Sequence, residues 1–117
     1  MSEDIKFGCI LPFVSLEESL AFAERINKSK FDSLWFSDHV IGIGNVPVLE
    51  QWCIASIIAY TTNLELGFAT TNPYVRPPHI LAQTATTLDI LTKGKFVLGI
   101  GAGEAMNLAP YGINWKD

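Results

Sequence analysis

Four short apolar runs separated by stretches of helical character constrain this 117-residue chain more than any other feature. The runs lie at residues 5–11, 32–37, 64–70 and 96–100, each of strand length and rich in Ile, Leu, Val, Phe or Trp. Between the first two, Ser15-Leu16-Glu17-Glu18 is a capping box, Ser at the N-cap and Glu at the third helical position. The helix that it opens is expected to reach about Lys28, with Leu16, Leu20, Ala23 and Ile26 near helical spacing. Residues 49–60 form a second helical stretch, apolar almost all round and so expected to be well buried. Pro77-Pro78 begins a third, which runs to about Leu91, since proline is tolerated in a first turn. Thr62-Asn63 and Thr92-Lys93-Gly94 supply turns.

The resulting order is βαβαβαβ with short connections. It predicts an α/β fold of four parallel strands joined by right-handed helical crossovers. A β/α barrel takes eight strands and roughly 250 residues, so four strands amount to the N-terminal half of one, with the helices outside. Residues 1–117 read as a single domain of that kind, without internal repeats, low-complexity tracts or linkers. A fourth helix is expected to begin at Trp115-Lys116-Asp117. Two strands of such a half-barrel would have unpaired edges, which favours a homo-oligomer or pairing with a second half-barrel.

The distinctive polar residues follow strand ends. Asp38 and His39 come after the second run, Asn72 after the third, and Glu104 and Asn107 after the fourth. In a β/α barrel the C-terminal strand ends carry the active site, and in an open doubly wound sheet they line the ligand crevice. Residues far apart in sequence can therefore converge on one site. His39 reads as functional rather than as a solvated surface histidine because of that placement.

The last of these strand ends, KFVLGIGAGEAMNLAPYG at 95–112, combines an apolar run, Gly99, Gly101 and Gly103, and the polar pair Glu104 and Asn107. Glycines allow a sharp turn and close approach of the backbone to a flat ligand. A dinucleotide fingerprint would need a glycine where Glu104 stands, and no phosphate-binding P-loop is present, so a phosphate is not expected here. Ile100, Met106 and Leu108 suggest an apolar setting for Glu104, suited to holding a proton.

Composition narrows the partners. Hydrophobic residues make up 49% of the chain and the net charge is −4. Without basic clusters, nucleic acid and anionic membranes are not expected partners. No apolar run has the length of a membrane span and no signal peptide precedes Ile5, so a cytoplasmic location is expected. Cys9 and Cys53 read as buried, reduced thiols, and no metal set is expected. Asn27-Lys28-Ser29 matches a glycosylation pattern by chance. Trp35, Phe36 and Trp52 read as core, His79 as an ordinary first-turn helix residue, and Arg76 as a solvated loop arginine.

Three stretches resemble the bacterial-luciferase-like superfamily: Ser37-Asp38-His39, LGFATTNPYVRPPHILAQTATTLDIL at 66–91, and LGIGAGEAMN at 98–107. Within it they are most similar to the branch that uses the deazaflavin coenzyme F420, which includes methylenetetrahydromethanopterin reductase, secondary-alcohol dehydrogenase and glucose-6-phosphate dehydrogenase. The resemblance covers the whole chain but only the N-terminal half of such an enzyme. It implies hydride transfer between the deazaflavin and a small substrate, such as a methylene-tetrahydropterin or an alcohol.

The resemblance also implies residue roles. Asp38 and His39 match the pair beside the ring. Ala69-Thr70 falls where the family has a non-prolyl cis peptide behind it. Asn72 matches a cofactor-contacting position that varies among members. Gly103 and Glu104 match the loop and the acid beside the ring, and Asn107 a polar contact to it. Glu104 and His39 are the catalytic candidates, since an acid or imidazole neighbour can neutralise charge left by hydride transfer. The cofactor-phosphate site and much of the substrate pocket come from the family's second half. Other readings stay open: an FMN-dependent monooxygenase of the same fold, a non-catalytic half-barrel that dimerises or pairs, and a flavodoxin-like module with strand order 2-1-3-4.

Overall fold

The computed structural model describes residues 4–42 and 44–114. Its strands are β1 (Gly8–Ile10), β2 (Ser33–Phe36), β3 (Glu65–Thr71) and β4 (Phe96–Ile100). Its helices are α1 (Leu16–Asn27), α2 (Gln51–Thr61), α3 (Pro78–Leu91) and the short α4 (Ala105–Leu108), with a 3-10 turn at Ala109–Tyr111. The strands form one parallel sheet in the order β1-β2-β3-β4. That order is the sequential one of a β/α barrel and not that of a flavodoxin-like sheet.

Sequence chemistry accounts for the ends of these elements. Ser15 Oγ accepts from the Glu18 backbone N–H at 3.2 Å, and Glu18 Oε2 accepts from the Ser15 N–H at 3.1 Å, the complete capping box. α2 starts later than periodicity suggests, because Glu50 serves as its N-cap and accepts the Cys53 N–H at 2.8 Å. β1 is shorter than its apolar run; beyond it only isolated bonds continue, from Leu11 N–H to the Trp35 carbonyl and between Phe7 and Asp32. The expected fourth helix at 115–117 lies outside the described residues. Among the described residues a short helix, α4, already follows β4 after four residues, with Glu104 as its N-cap residue.

Residues in register share a face of the sheet. Leu34, Phe36, Leu66 and Phe68 point to the helices and are fully buried. Ala23 and Ile26 of α1, Trp52, Ala55 and Ile58 of α2, and Leu81 and Leu88 of α3 complete that core. Trp52 stacks on Phe68 with centroids 4.1 Å apart. Each of the four strand side chains contributes about 1.5–3 kcal/mol by its burial. α2 is buried on one side only, since Cys53, Ile57 and Tyr60 are exposed. Cys53 is thus not the buried thiol that its neighbours suggest; it lies on the outer side of α2, while Cys9 is half-buried.

The opposite face carries Ile10, Trp35, Gly67 and Val97 in one row. Trp35 lies there half-buried instead of in the helix-facing core, with its Nε1–H donating to Ser33 Oγ at 2.9 Å. Its ring lies where side chains of Gly8 and Gly67 would otherwise stand: a Cβ at either position would come within 2.5 Å of it.

Candidate active site

β2, β3 and β4 deliver their C-terminal ends to one cavity of about 290 Å3. Every residue singled out from the sequence lines it: Asp38, His39, Ala69, Thr70, Asn72, Gly103, Glu104 and Asn107. The Ala69-Thr70 peptide is cis, at the position where the resemblance places such a bond. It coincides with a register shift between β3 and β4 at Phe68/Thr71. Gly103 adopts φ +78°, a left-handed conformation that glycine accepts without a Cβ clash, and so lets the chain turn from β4 into α4.

Asn107 joins the parts. It is buried although it stands on the four-residue α4. Its Oδ1 accepts the backbone N–H groups of Val40 at 2.9 Å and Ile41 at 3.2 Å. Its Nδ2 donates to Glu104 Oε1 at 2.8 Å and lies 3.2 Å from His39 Nδ1. His39 Nε2 stands 3.5 Å from Glu104 Oε1, and the ring of Phe13 meets the imidazole edge-on at 5.4 Å.

Glu104 is not in the apolar setting expected for it. Its side chain is 52% exposed, and the atoms against its carboxylate are polar, from Asn107 and His39. Ile100 and Met106 are themselves exposed; only Leu108 is buried. The apolar neighbours in sequence project elsewhere because the strand ends and the helix begins between them.

Asp38 lies deeper, with a side chain 3% exposed. Its Oδ2 accepts the Trp52 Nε1–H at 3.0 Å and the Thr71 hydroxyl at 2.6 Å. Arg76, read from the sequence as a solvated arginine, brings Nε to 3.5 Å from the same oxygen, pairs with Glu50, and lies 5.4 Å over the Trp52 ring. Thr71, Glu50 and Phe13 are site neighbours that the sequence reading passed over, and Arg76 is one that it assigned to solvent. A signal existed for one contact: a buried tryptophan N–H needs an acceptor, and Asp38 lies at the preceding strand end. Asn72 closes the loop after β3 through its Oδ1, which accepts from the N–H groups of Tyr74 at 3.2 Å and Val75 at 3.0 Å. His79 is exposed in the first turn of α3, away from the cavity.

Among the described residues, no group of three or more His, Cys, Asp or Glu is placed to hold a metal ion. No described helix is long and apolar enough to cross a membrane.

A parallel sheet with outer helices and a polar site at its C-terminal strand ends belongs to the β/α-barrel enzyme class. Within that class, the chain is a member of the luciferase-like monooxygenase family, whose family model matches residues 5–117. It is 36% identical over 104 residues to the F420-dependent glucose-6-phosphate dehydrogenase of Beutenbergia cavernae, covering 84% of this chain and 30% of that protein. Among solved structures it superposes on an F420-dependent secondary alcohol dehydrogenase in complex with an F420-acetone adduct, with a TM-score of 0.84 and 30% identity. That match covers 99% of this chain and 36% of the dehydrogenase. The oxygenating constituent of 3,6-diketocamphane monooxygenase from Pseudomonas putida, in complex with FMN, shares the fold with a TM-score of 0.75 at 23% identity, over 93% of this chain and 33% of that one. The chain thus spans about a third of the length of these proteins, less than the half that its strand count suggests, and corresponds to their N-terminal part.

Proposed function

We propose that this chain carries the deazaflavin-ring end of the active site of an F420-dependent oxidoreductase. The reaction is hydride transfer to or from a small substrate such as an alcohol or a methylene-tetrahydropterin. The observation that carries the reading is the meeting of His39, Glu104 and Asn107, from beyond the ends of two strands, in the lining of one cavity. The F420-dependent relatives support it.

The residues present fit the ring of such a cofactor. The cavity is lined on one side by the Ala69-Thr70 peptide and on another by Gly101, Ala102 and Gly103, all small and suited to a flat aromatic surface. Its volume lies at the lower edge of the ~300–1,000 Å3 usual for small-molecule sites, enough for a ring system rather than a whole cofactor. None of the described residues lining it is Lys or Arg, so it fits an uncharged ring and not a phosphate.

A bound deazaflavin would supply a carbon that gives or takes a hydride. What the chain supplies is proton handling. Removing a hydride from an alcohol carbon also frees the hydroxyl proton, and reducing a carbonyl consumes one. Glu104, whose side chain reaches solvent, can take up or return that proton, with His39 Nε2 3.5 Å from its carboxylate as the second candidate for that role. Asn72 and Asn107 hold the two loops that frame the ring site.

Titrating the chain with F420 and with FMN, followed by cofactor fluorescence, tests the reading. F420 is expected to bind more tightly. Tighter FMN binding would favour the monooxygenase reading, to which the family match and the FMN-bound neighbour lend support. Binding of neither by the folded chain would favour a half-barrel without catalysis of its own.

A further inference from the structure

We propose that Asn107 is a positioning residue that fixes the tautomer of His39, holding Nδ1 as an acceptor and so keeping the ring proton on Nε2. The orientation of the Asn107 amide follows from its surroundings. Val40 N–H and Ile41 N–H can only donate, and both meet one atom, which must be the carbonyl oxygen Oδ1. The amide nitrogen therefore faces the opposite way, towards Glu104 Oε1 and His39 Nδ1. An amide nitrogen donates and does not accept, so Nδ1 must meet it with a lone pair. A neutral imidazole then carries its single N–H at Nε2, 3.5 Å from Glu104 Oε1.

The arrangement branches at the Asn107 amide: its oxygen accepts from two backbone N–H groups, and its nitrogen donates to both the imidazole and a carboxylate. Every hydrogen-bonding position of the Asn107 side chain is used, and the residue is buried. Turning the amide over would set its nitrogen against two N–H donors and strand both. Phe13, edge-on to the imidazole, packs against the ring from outside this arrangement.

The consequence for chemistry rests on the proposed hydride transfer. With Nδ1 occupied by Asn107, neutral His39 is a proton donor at Nε2, and Glu104 is the group that accepts. In the oxidative direction the proton leaves the substrate hydroxyl, is taken up by the Glu104 carboxylate, and passes to water, with the N–H of neutral His39 on the nitrogen 3.5 Å from that carboxylate. In the reductive direction the same proton returns from the Glu104 carboxyl to the substrate oxygen. No bond to Nδ1 forms or breaks in either direction.

The test is the imidazole nitrogen spectrum of the full chain, labelled with 15N and free of cofactor, at a pH well above the ~6.5 of a free histidine. The chain has two histidines, and His79→Gln leaves only the signals of His39. The expected spectrum shows Nδ1 unprotonated and hydrogen-bonded and Nε2 protonated, as one tautomer. Asn107→Asp keeps an acceptor for Val40 and Ile41 but places a carboxylate oxygen opposite Nδ1. It is expected to move the proton to Nδ1, a change that a merely structural role for Asn107 would not produce. A protonated Nδ1 in the wild type, a mixture like that of free histidine, or an unchanged tautomer in Asn107→Asp would each overturn the proposal. If Asn107→Asp does not fold, the coupling across the hydrogen bond between Asn107 Nδ2 and His39 Nδ1 in the wild type decides: its presence supports the assignment and its absence overturns it. Because no cofactor is present, failure of F420 to bind leaves this result standing, and a wrong tautomer leaves the cofactor titration standing.

Discussion

Asp38 Oδ2 accepts the hydroxyl of Thr71 at 2.6 Å, and this bond ties the end of β2 to the end of β3. The same oxygen holds Trp52 of α2 and faces Arg76 before α3. Asp38, placed beside the cofactor ring by resemblance, is therefore also the point where four segments of the site are fastened together.

Removing that carboxylate strands several buried groups at once. Asp38→Ala is expected to cost about 3–5 kcal/mol, the usual result of breaking a buried charged pair by deleting one partner. Thr71→Val, which loses one bond to a charged acceptor, should cost about 1.5–3 kcal/mol. Urea unfolding monitored by circular dichroism measures both. Equal losses would mean that the Trp52 and Arg76 contacts contribute nothing.

Gly67 leaves the space that Trp35 fills. A Cβ at residue 67 would come within 2.5 Å of the indole, so Gly67→Ala should displace the ring and cost about 1–3 kcal/mol. Tryptophan emission should move to longer wavelength as the ring is pushed into water. In a Trp35→Leu background the same alanine should cost much less, and a matching cost there would show that the ring is not what the methyl meets.

Acid should loosen α1 through its cap. The backbone N–H of Ser15, and then its hydroxyl, hold the Glu18 carboxyl below its ordinary value of 4.5. A carboxyl depressed in the folded chain adds stability above its unfolded pKa, and that contribution disappears as pH falls through the folded value. Stability should therefore decline below about pH 4.5, and Glu18→Gln should flatten that part of the profile. Glu24, lowered by its bond to Lys28, acts in the same direction. Thermal unfolding of the two proteins across the acid range reads the difference.

Glu104→Gln tests the proton route in a protein shown to turn over with the deazaflavin. Cofactor binding should stay within a few-fold and turnover should fall by about 10²-fold or more, the usual size of an acid–base contribution. If turnover persists while His39→Ala abolishes it, the transferred proton belongs to His39. If both variants remain active and bind normally, neither residue handles it.

Exposed apolar side chains favour association. Ile10 is 60% and Ile100 57% exposed, on the two strands that have a neighbour on one side only among the described residues. Such edges and patches seek partners. Sedimentation at micromolar concentration should show a dimer or larger species; a monodisperse monomer would contradict this.

Much of this was readable because parallel β/α units announce themselves locally. The capping box at Ser15 and the apolar runs of β2, β3 and β4 placed the strand ends, and the strand ends placed Asp38, His39, Asn72 and Glu104. What local pattern could not give was direction. Trp35 and Trp52 are both aromatic residues in apolar stretches, yet they lie on opposite sides of the sheet: Trp35 alternates with the helix-facing Leu34 and Phe36 of β2, whereas Trp52 comes from α2, which packs on that helix-facing side. Arg76 looks solvated until the fold sets Asp38 and Glu50 against it. The apolar neighbours of Glu104 misled because the backbone changes from strand to helix beside it. Asn107 gave no hint of its hold on residues 40 and 41, which are distant in sequence and meet it only once the sheet has formed.

That hold makes the position of any cut in the gene matter. A chain ending after β4 would retain all four strands and the helix-facing core, and by circular dichroism would look intact. It would lack the amide that latches the backbone after His39, leaving the loop of one strand untethered by the loss of a residue from another. The smallest piece that keeps these contacts together therefore extends through α4, and a split-protein or grafting design that stops at the sheet would carry over the scaffold and leave its latch behind.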